Sequence, residues 1–207
     1  RGDTHNNLGL ALTQLARYGE AERNFSLALE LMPTDARVHV NIAALHASQK
    51  QLVRAEASLR QAVKIAPKML VARRRLALLL GRRGNVVDAI VQLRAIVALA
   101  PDDSEAHSLL GGALASQGKL APAMPHLLKA VTLKPNDAKA LVNLGGAFAA
   151  SGQPAKALGP LRRSIALHPT ANAYFNLNLA LRQLGRVDEA KKALRAAEQL
   201  RRSTHKP

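Results

Sequence analysis

Four asparagines and a group of arginines are the residues in this sequence best equipped for chemistry. Asn7, Asn41, Asn143 and Asn176 lie 34, 102 and 33 residues apart, so they return at one phase of a 34-residue period that loses one residue before the last copy. Arg75 and Leu109 fill the same phase between them. A carboxamide carries both donor and acceptor, so it matches the N–H and C=O of a peptide backbone without reading side chains. The second reading open to such a column is that it ties neighbouring helices together. Arg73, Arg74, Arg75, Arg82 and Arg83 form a basic patch, with Arg37 earlier in the chain. No acid stands between Glu56 and Asp88, so nothing local is expected to neutralise it. Guanidinium groups present a planar fork of donors to carboxylates and phosphates. A solvated charged face is the alternative.

Catalytic and metal chemistry find less support. The sequence has no Gly-rich phosphate loop, nucleophile motif or converging carboxylates, so neither an enzyme nor a cofactor is expected. His5, His39 and His107 share one phase of the period but belong to separate copies, whereas a metal needs ligands converging on one point. Structural packing is the expectation for them. No cysteine is present, which excludes disulfides and leaves the compartment open. No apolar run approaches a membrane span, and no membrane partner is expected. The net charge of +16 favours acidic partners.

The elements that must hold these residues follow from the period itself. Pro33, Pro67, Pro101, Pro135 and Pro169 are each 34 residues apart. Within that period one position is always small (Gly9, Ala43, Ala77, Gly111, Gly145). A second is always Ala (Ala21, Ala55, Ala89, Ala123, Ala157), and a third is large and apolar (Phe25, Leu59, Leu93, Leu127, Leu161). A last copy fits after the loss of one residue, with Leu177, Asn178, Ala190, Leu194 and Ala197 in the matching places. Ala, Leu, Arg and Gln favour helix, aromatics are only 2%, and strand-forming runs are missing, so the chain reads as all-α. Each proline ends one helix, and Asp35, Asp103 and Asp137 cap the next. Pro67-Lys68-Met69-Leu70 offers no such cap, which predicts fraying there. Gly84, Gly118, Gly152 and Gly185 mark turns inside the copies, and Pro160 predicts a kink.

These positions together resemble the tetratricopeptide repeat family, over roughly residues 2–204. The resemblance implies a right-handed α-solenoid of six helix-turn-helix units in one domain, 1–207. The units are 2–35, 36–69, 70–103, 104–137, 138–170 and 171–204. Two positions depart from the family pattern. Position 4 of the unit, normally large and apolar, holds His5, His39, Arg73 and His107, and position 27, normally Ala, holds Ile96 and Ser164. Arg1-Gly2-Asp3 carries no initiator Met, and a piece of a longer protein is expected.

The resemblance also places positions 2, 5, 6, 9, 12 and 13 of the first helix of each unit on a concave surface, and of these 2, 6, 9 and 13 fall in line. Their spacing is one helical stripe opposite the packing face. The implied peptide-binding set is Asn7, Arg37, Asn41, Arg74, Arg75, Arg82, Asn143 and Asn176. The asparagine column looks like that of the superhelix of O-linked N-acetylglucosamine transferases, which grips extended peptides. The carboxylate clamp of the chaperone-binding branch is matched only by Asn41 and Arg75, with Asn6, Leu10 and Val71 in its other places. An interaction scaffold for an extended acidic peptide is the expected function. A basic nucleic-acid binder is one alternative, although only Phe175 among the concave positions offers an aromatic for base stacking. A substrate-recognition arm of a larger enzyme is another.

Overall fold

The computed structural model describes residues 1–203, so Thr204, the last residue expected in the sixth unit, lies outside the described residues. Every regular element described is an α-helix. They are α1 (Gly2–Gln14), α2 (Tyr18–Leu31), α3 (Ala36–Ser48), α4 (Leu52–Ile65), α5 (Leu70–Arg82) and α6 (Val86–Leu99) in the first half. The second half holds α7 (Ser104–Ser116), α8 (Leu120–Leu133), α9 (Ala138–Ala150), α10 (Pro154–Leu167), α11 (Ala171–Gln183) and α12 (Val187–Ser203). Consecutive helices pair as six antiparallel hairpins, since three-residue connections leave a following helix no option but to fold back. The chain divides into two compact units, Arg1–Leu99 with three hairpins and the segment from Ala100 onward with three more.

Small side chains set the spacing inside each hairpin. A β-carbon added to Gly9 would stand 2.7 Å from the Phe25 ring, and one on Gly145 would stand 2.4 Å from Leu161. Gly111 is equally close to Leu127. The three large residues are buried, so the missing β-carbon is what lets the helices of these hairpins meet. The alanines of the second helices (Ala21, Ala55, Ala89, Ala123, Ala157 and Ala190) are all buried as well. Leu194 departs from the pattern at 36% exposed, on the last helix. Leu8, on the first, is 46% exposed, whereas its counterparts Leu76 and Leu144 are buried.

The ends of the helices carry the expected caps. Asp35 accepts from the Arg37 amide, Asp103 from that of Ala106, and Asp137 from those of Lys139 and Ala140. Thr170 does the same for α11. Met69 supplies no side-chain cap to α5. Helix α10 runs unbroken through Pro160, and α8 contains an interior Pro125 not anticipated from the sequence. The turn glycines adopt left-handed φ, 80° at Gly84 and 71–72° at Gly118, Gly152 and Gly185. Ala16 and Lys50 hold the same place in the first two hairpins, at φ 58° and 60°, where a β-carbon is strained.

The two departures from the family pattern have structural uses. Ser164 is fully buried, and its hydroxyl donates to the Ala138 carbonyl at 2.8 Å. One hairpin earlier the same positions are bridged in reverse, by Ser104 donating to the Ala130 carbonyl at 3.1 Å. At position 4, Arg73 donates to the Pro67 carbonyl at 2.6 Å and to Gln92 Oε1 at 2.7 Å. His107 makes the same two connections, to the Pro101 carbonyl and to His126 Nδ1, both at 3.0 Å. His5 reaches Asn24 Oδ1 across the first hairpin at 3.0 Å. Polar side chains here act as struts between the two helices of a hairpin and the loop before it. Among the described residues, no group of three or more His, Asp or Glu side chains is placed to hold a metal ion.

Candidate functional site

The asparagine column is partly used by the protein itself. Asn41 Nδ2 donates to Asn6 Oδ1 at 3.0 Å, and Asn143 Nδ2 donates to the carbonyl and hydroxyl of Ser108, each at 3.3 Å. Asn6 and Ser108 occupy the same position on the first helix of the preceding hairpin. In the second unit the neighbouring glycines make room for this contact. A β-carbon on Gly112 would meet Asn143 Nδ2 at 3.1 Å, and one on Gly146 would meet Asn176 Nδ2 at 3.0 Å. The donor half of these amides therefore laces one hairpin to the next, as the second reading of the column anticipated. Asn143 keeps only its acceptor oxygen for a partner, and Asn41 keeps its acceptor oxygen and one amide hydrogen. Asn7 is exposed on α1, and Asn176 is half-buried on α11.

The arginines separate into engaged and unengaged groups. Arg37 donates to both oxygens of Asp35 and reaches Asp3 Oδ1 at 2.8 Å. That pairing raises Arg37 above its usual range and lowers the Asp35 carboxyl, in both cases chiefly through their mutual hydrogen bonds. Arg83 pairs with Glu56, which also binds Arg60, and Arg60 extends to Asp88 at 2.6 Å. The expectation that nothing neutralises the basic stretch therefore fails at Arg83. Its counter-charge sits 27 residues back, brought near by the fold rather than by the sequence. Arg73 is tied into the strut already described, and Arg74 is half-buried and engaged.

Arg75 and Arg82 remain. Both are exposed on α5, and among the described residues neither guanidinium has an ionic or hydrogen-bonding partner. They lie on one stripe of the helix, with Leu78, 41% exposed, between them. This stripe borders a groove of about 230 Å³ between α3 and α5, closed beneath by Ala55 and Leu59 of α4. Ala43, Ala44 and Ala47 form its α3 side and Leu79 completes it. The groove exists because α3 offers only methyl groups there. The sequence singles out both arginines but not these alanines. The available signal was position 9, which reads Leu10, Ala44 and Leu78 in the first three hairpins. Phe175, which holds on α11 the position that Arg74 holds on α5, has the Arg201 guanidinium over its ring at 5.7 Å.

Hairpins of this kind, laced in register by side chains at a fixed position, define a helical-repeat protein. The same tetratricopeptide repeat model matches residues 6–69, 125–172 and 142–204, and two further tetratricopeptide repeat models match 46–112 and 104–137. The chain belongs to the tetratricopeptide repeat family. No curated protein matches it. Among solved structures it is similar to a MamA protein, with 23% identity over 84% of this chain and 96% of that one, at a TM-score of 0.69. It is also similar to YrrB, described as a TPR protein with an unusual peptide-binding site, with 22% identity over 85% and 91% and a TM-score of 0.69. A MamA from Desulfovibrio magneticus RS-1 gives 19% identity over 83% and 98%, with a TM-score of 0.72. At these identities the likeness is one of fold.

Proposed function

We propose that this chain is a protein-interaction scaffold that binds an extended, acidic peptide segment along the exposed stripes of its first helices, and that it does not itself catalyse a reaction. The observation that carries the reading is the pair of unpartnered guanidiniums at Arg75 and Arg82 beside an apolar groove, on a chain of net charge +16. Such a pair offers bidentate sites to carboxylates without breaking internal ion pairs. The exposed Asn7 and the acceptor oxygens of Asn41, Asn143 and Asn176 supply backbone contacts in the manner of the asparagine column it resembles. Arg37 and Arg74, already engaged, contribute less. The fold shared with a protein described as having a peptide-binding site supports the same direction. The single-domain reading of residues 1–207 belongs to this proposal.

Single-stranded RNA is disfavoured, because such ligands need free aromatic faces and Phe175 is stacked under Arg201. The test is a salt titration of binding to an acidic peptide and to oligouridylate. The expected result is peptide binding at physiological salt that weakens as salt rises, and that Arg75→Gln with Arg82→Gln abolishes. RNA binding that the peptide cannot displace refutes the proposal. Replacing Asn41 and Asn143 together by Ala is expected to weaken the peptide complex. Unchanged affinity with intact helicity removes the asparagines from the site.

A further inference from the structure

The groove between α3 and α5 does more than place two charges, although any selectivity it exerts rests on the peptide-binding function proposed for the chain. Its volume of about 230 Å³ is below the range of about 300–1,000 Å³ found for small-molecule sites. It therefore suits one side chain rather than a cofactor. The walls are methyl groups of Ala43, Ala44 and Ala47 on one side and Leu78 on the other, so the side chain it takes is aliphatic. Arg75 and Arg82 stand seven residues apart on one helix, about 10.5 Å along its axis at about 1.5 Å per residue. A peptide extended in the polyproline II conformation covers that distance in about three residues at about 3.1 Å each, and its three-residue turn brings every third side chain back to the same face. We infer that the groove selects a segment in which two acidic residues three positions apart enclose an aliphatic residue. The acids meet Arg75 and Arg82, and the aliphatic side chain drops between α3 and Leu78.

The partner class is fixed by this combination of charges and floor. Phosphate or nucleic acid would use the guanidiniums but leave the alanine floor wet. An uncharged apolar peptide would fill the floor but leave both arginines unmatched. Neither gains from the site as a whole.

The experiment uses the 207-residue chain and three fluorescein-labelled peptides. They are Gly-Ser-Glu-Leu-Ser-Glu-Ser-Gly, the same peptide with Leu replaced by Ala, and the same peptide with both Glu replaced by Gln. Fluorescence anisotropy is expected to show about tenfold weaker binding for the Ala peptide, the loss of a partly buried aliphatic side chain. The Gln peptide is expected to lose binding altogether. Ala44→Leu then fills the groove with a residue that the first and third hairpins already carry at this position, as Leu10 and Leu78, so the hairpin is expected to fold. In that variant the preference for Leu over Ala is expected to fall to about one, with affinity for the Ala peptide kept within about twofold. Equal binding of the Leu and Ala peptides by the unaltered protein overturns the groove inference and leaves the broader function standing. A preference that survives Ala44→Leu does the same. Failure of every acidic peptide to bind overturns both, as does oligouridylate binding in their place.

Discussion

Replacing Ala16 and Lys50 by glycine is expected to stabilise the first two hairpins. The repeat supplies its own control, because four of the six turns already carry glycine at left-handed φ and these two do not. The hydrogen bonds around the position are shared. Arg17 donates to the Leu12 carbonyl at 2.9 Å, Gln51 to that of His46 at 2.8 Å, and Asn85, after Gly84, to that of Leu80 at 2.9 Å. Glycine therefore enters without changing the turn. For a residue with a β-carbon this conformation costs about 1–2 kcal/mol. Glycine gives back about 0.4–1 kcal/mol of that through the greater freedom of its unfolded chain. The net gain is about 0.5–1 kcal/mol per site. The two sites are a full repeat apart, so the gains add to about 1–2 kcal/mol. Native-state hydrogen exchange read hairpin by hairpin is the suitable assay, because repeat proteins open locally. Amides of α1 to α4 that exchange by local opening are expected to slow about two- to fivefold per substitution. Ala11→Gly, the same change on the exposed interior of α1, is expected to accelerate exchange instead. If Ala16→Gly and Ala11→Gly have the same sign, or Gly84→Ala costs nothing, backbone strain at this turn is not what the fold selects against.

Two further outcomes come from close packing and from burial. Gly145→Val is expected to destabilise the fifth hairpin by about 1–3 kcal/mol, measured by urea denaturation, because its side chain would enter the buried Leu161, and Gly159→Val, with open space around it, is expected to cost less. Burial holds His39 and His46 below the usual imidazole range, with the nearby Arg54 adding to the effect at His46. The folded state thus prefers neutral rings, so stability is intact above the unfolded value of about 6.5 and is lost as pH falls below it towards the lower folded values. Thermal melts between pH 7.5 and 5 check this, and His46→Gln is expected to flatten the dependence.

How much of this was legible in the sequence depends on how far apart the interacting residues lie. Features that repeat locally were readable. The prolines, the obligatory alanines, the caps at Asp35, Asp103 and Asp137 and the turn glycines each declare themselves within a few residues of the structure they make. Position 4 was readable only in part. Its histidines were expected to pack, but their use as struts depends on partners 19 residues away, such as Asn24 and His126, that have no fixed identity. Charges were least readable. Absence of acid between Glu56 and Asp88 is a statement about one dimension, and the fold sets Glu56 on α4 against Arg83 at the end of α5. The same folding leaves Arg75 and Arg82 unpaired, because they sit on the other stripe of that helix, facing the small side chains of α3 rather than the acids of α4 and α6. A charge census cannot tell the two groups apart, whereas helical phase can. Arg82 and Arg83 are adjacent in sequence, yet about 100° of helical turn separates a guanidinium committed to structure from one left for a partner.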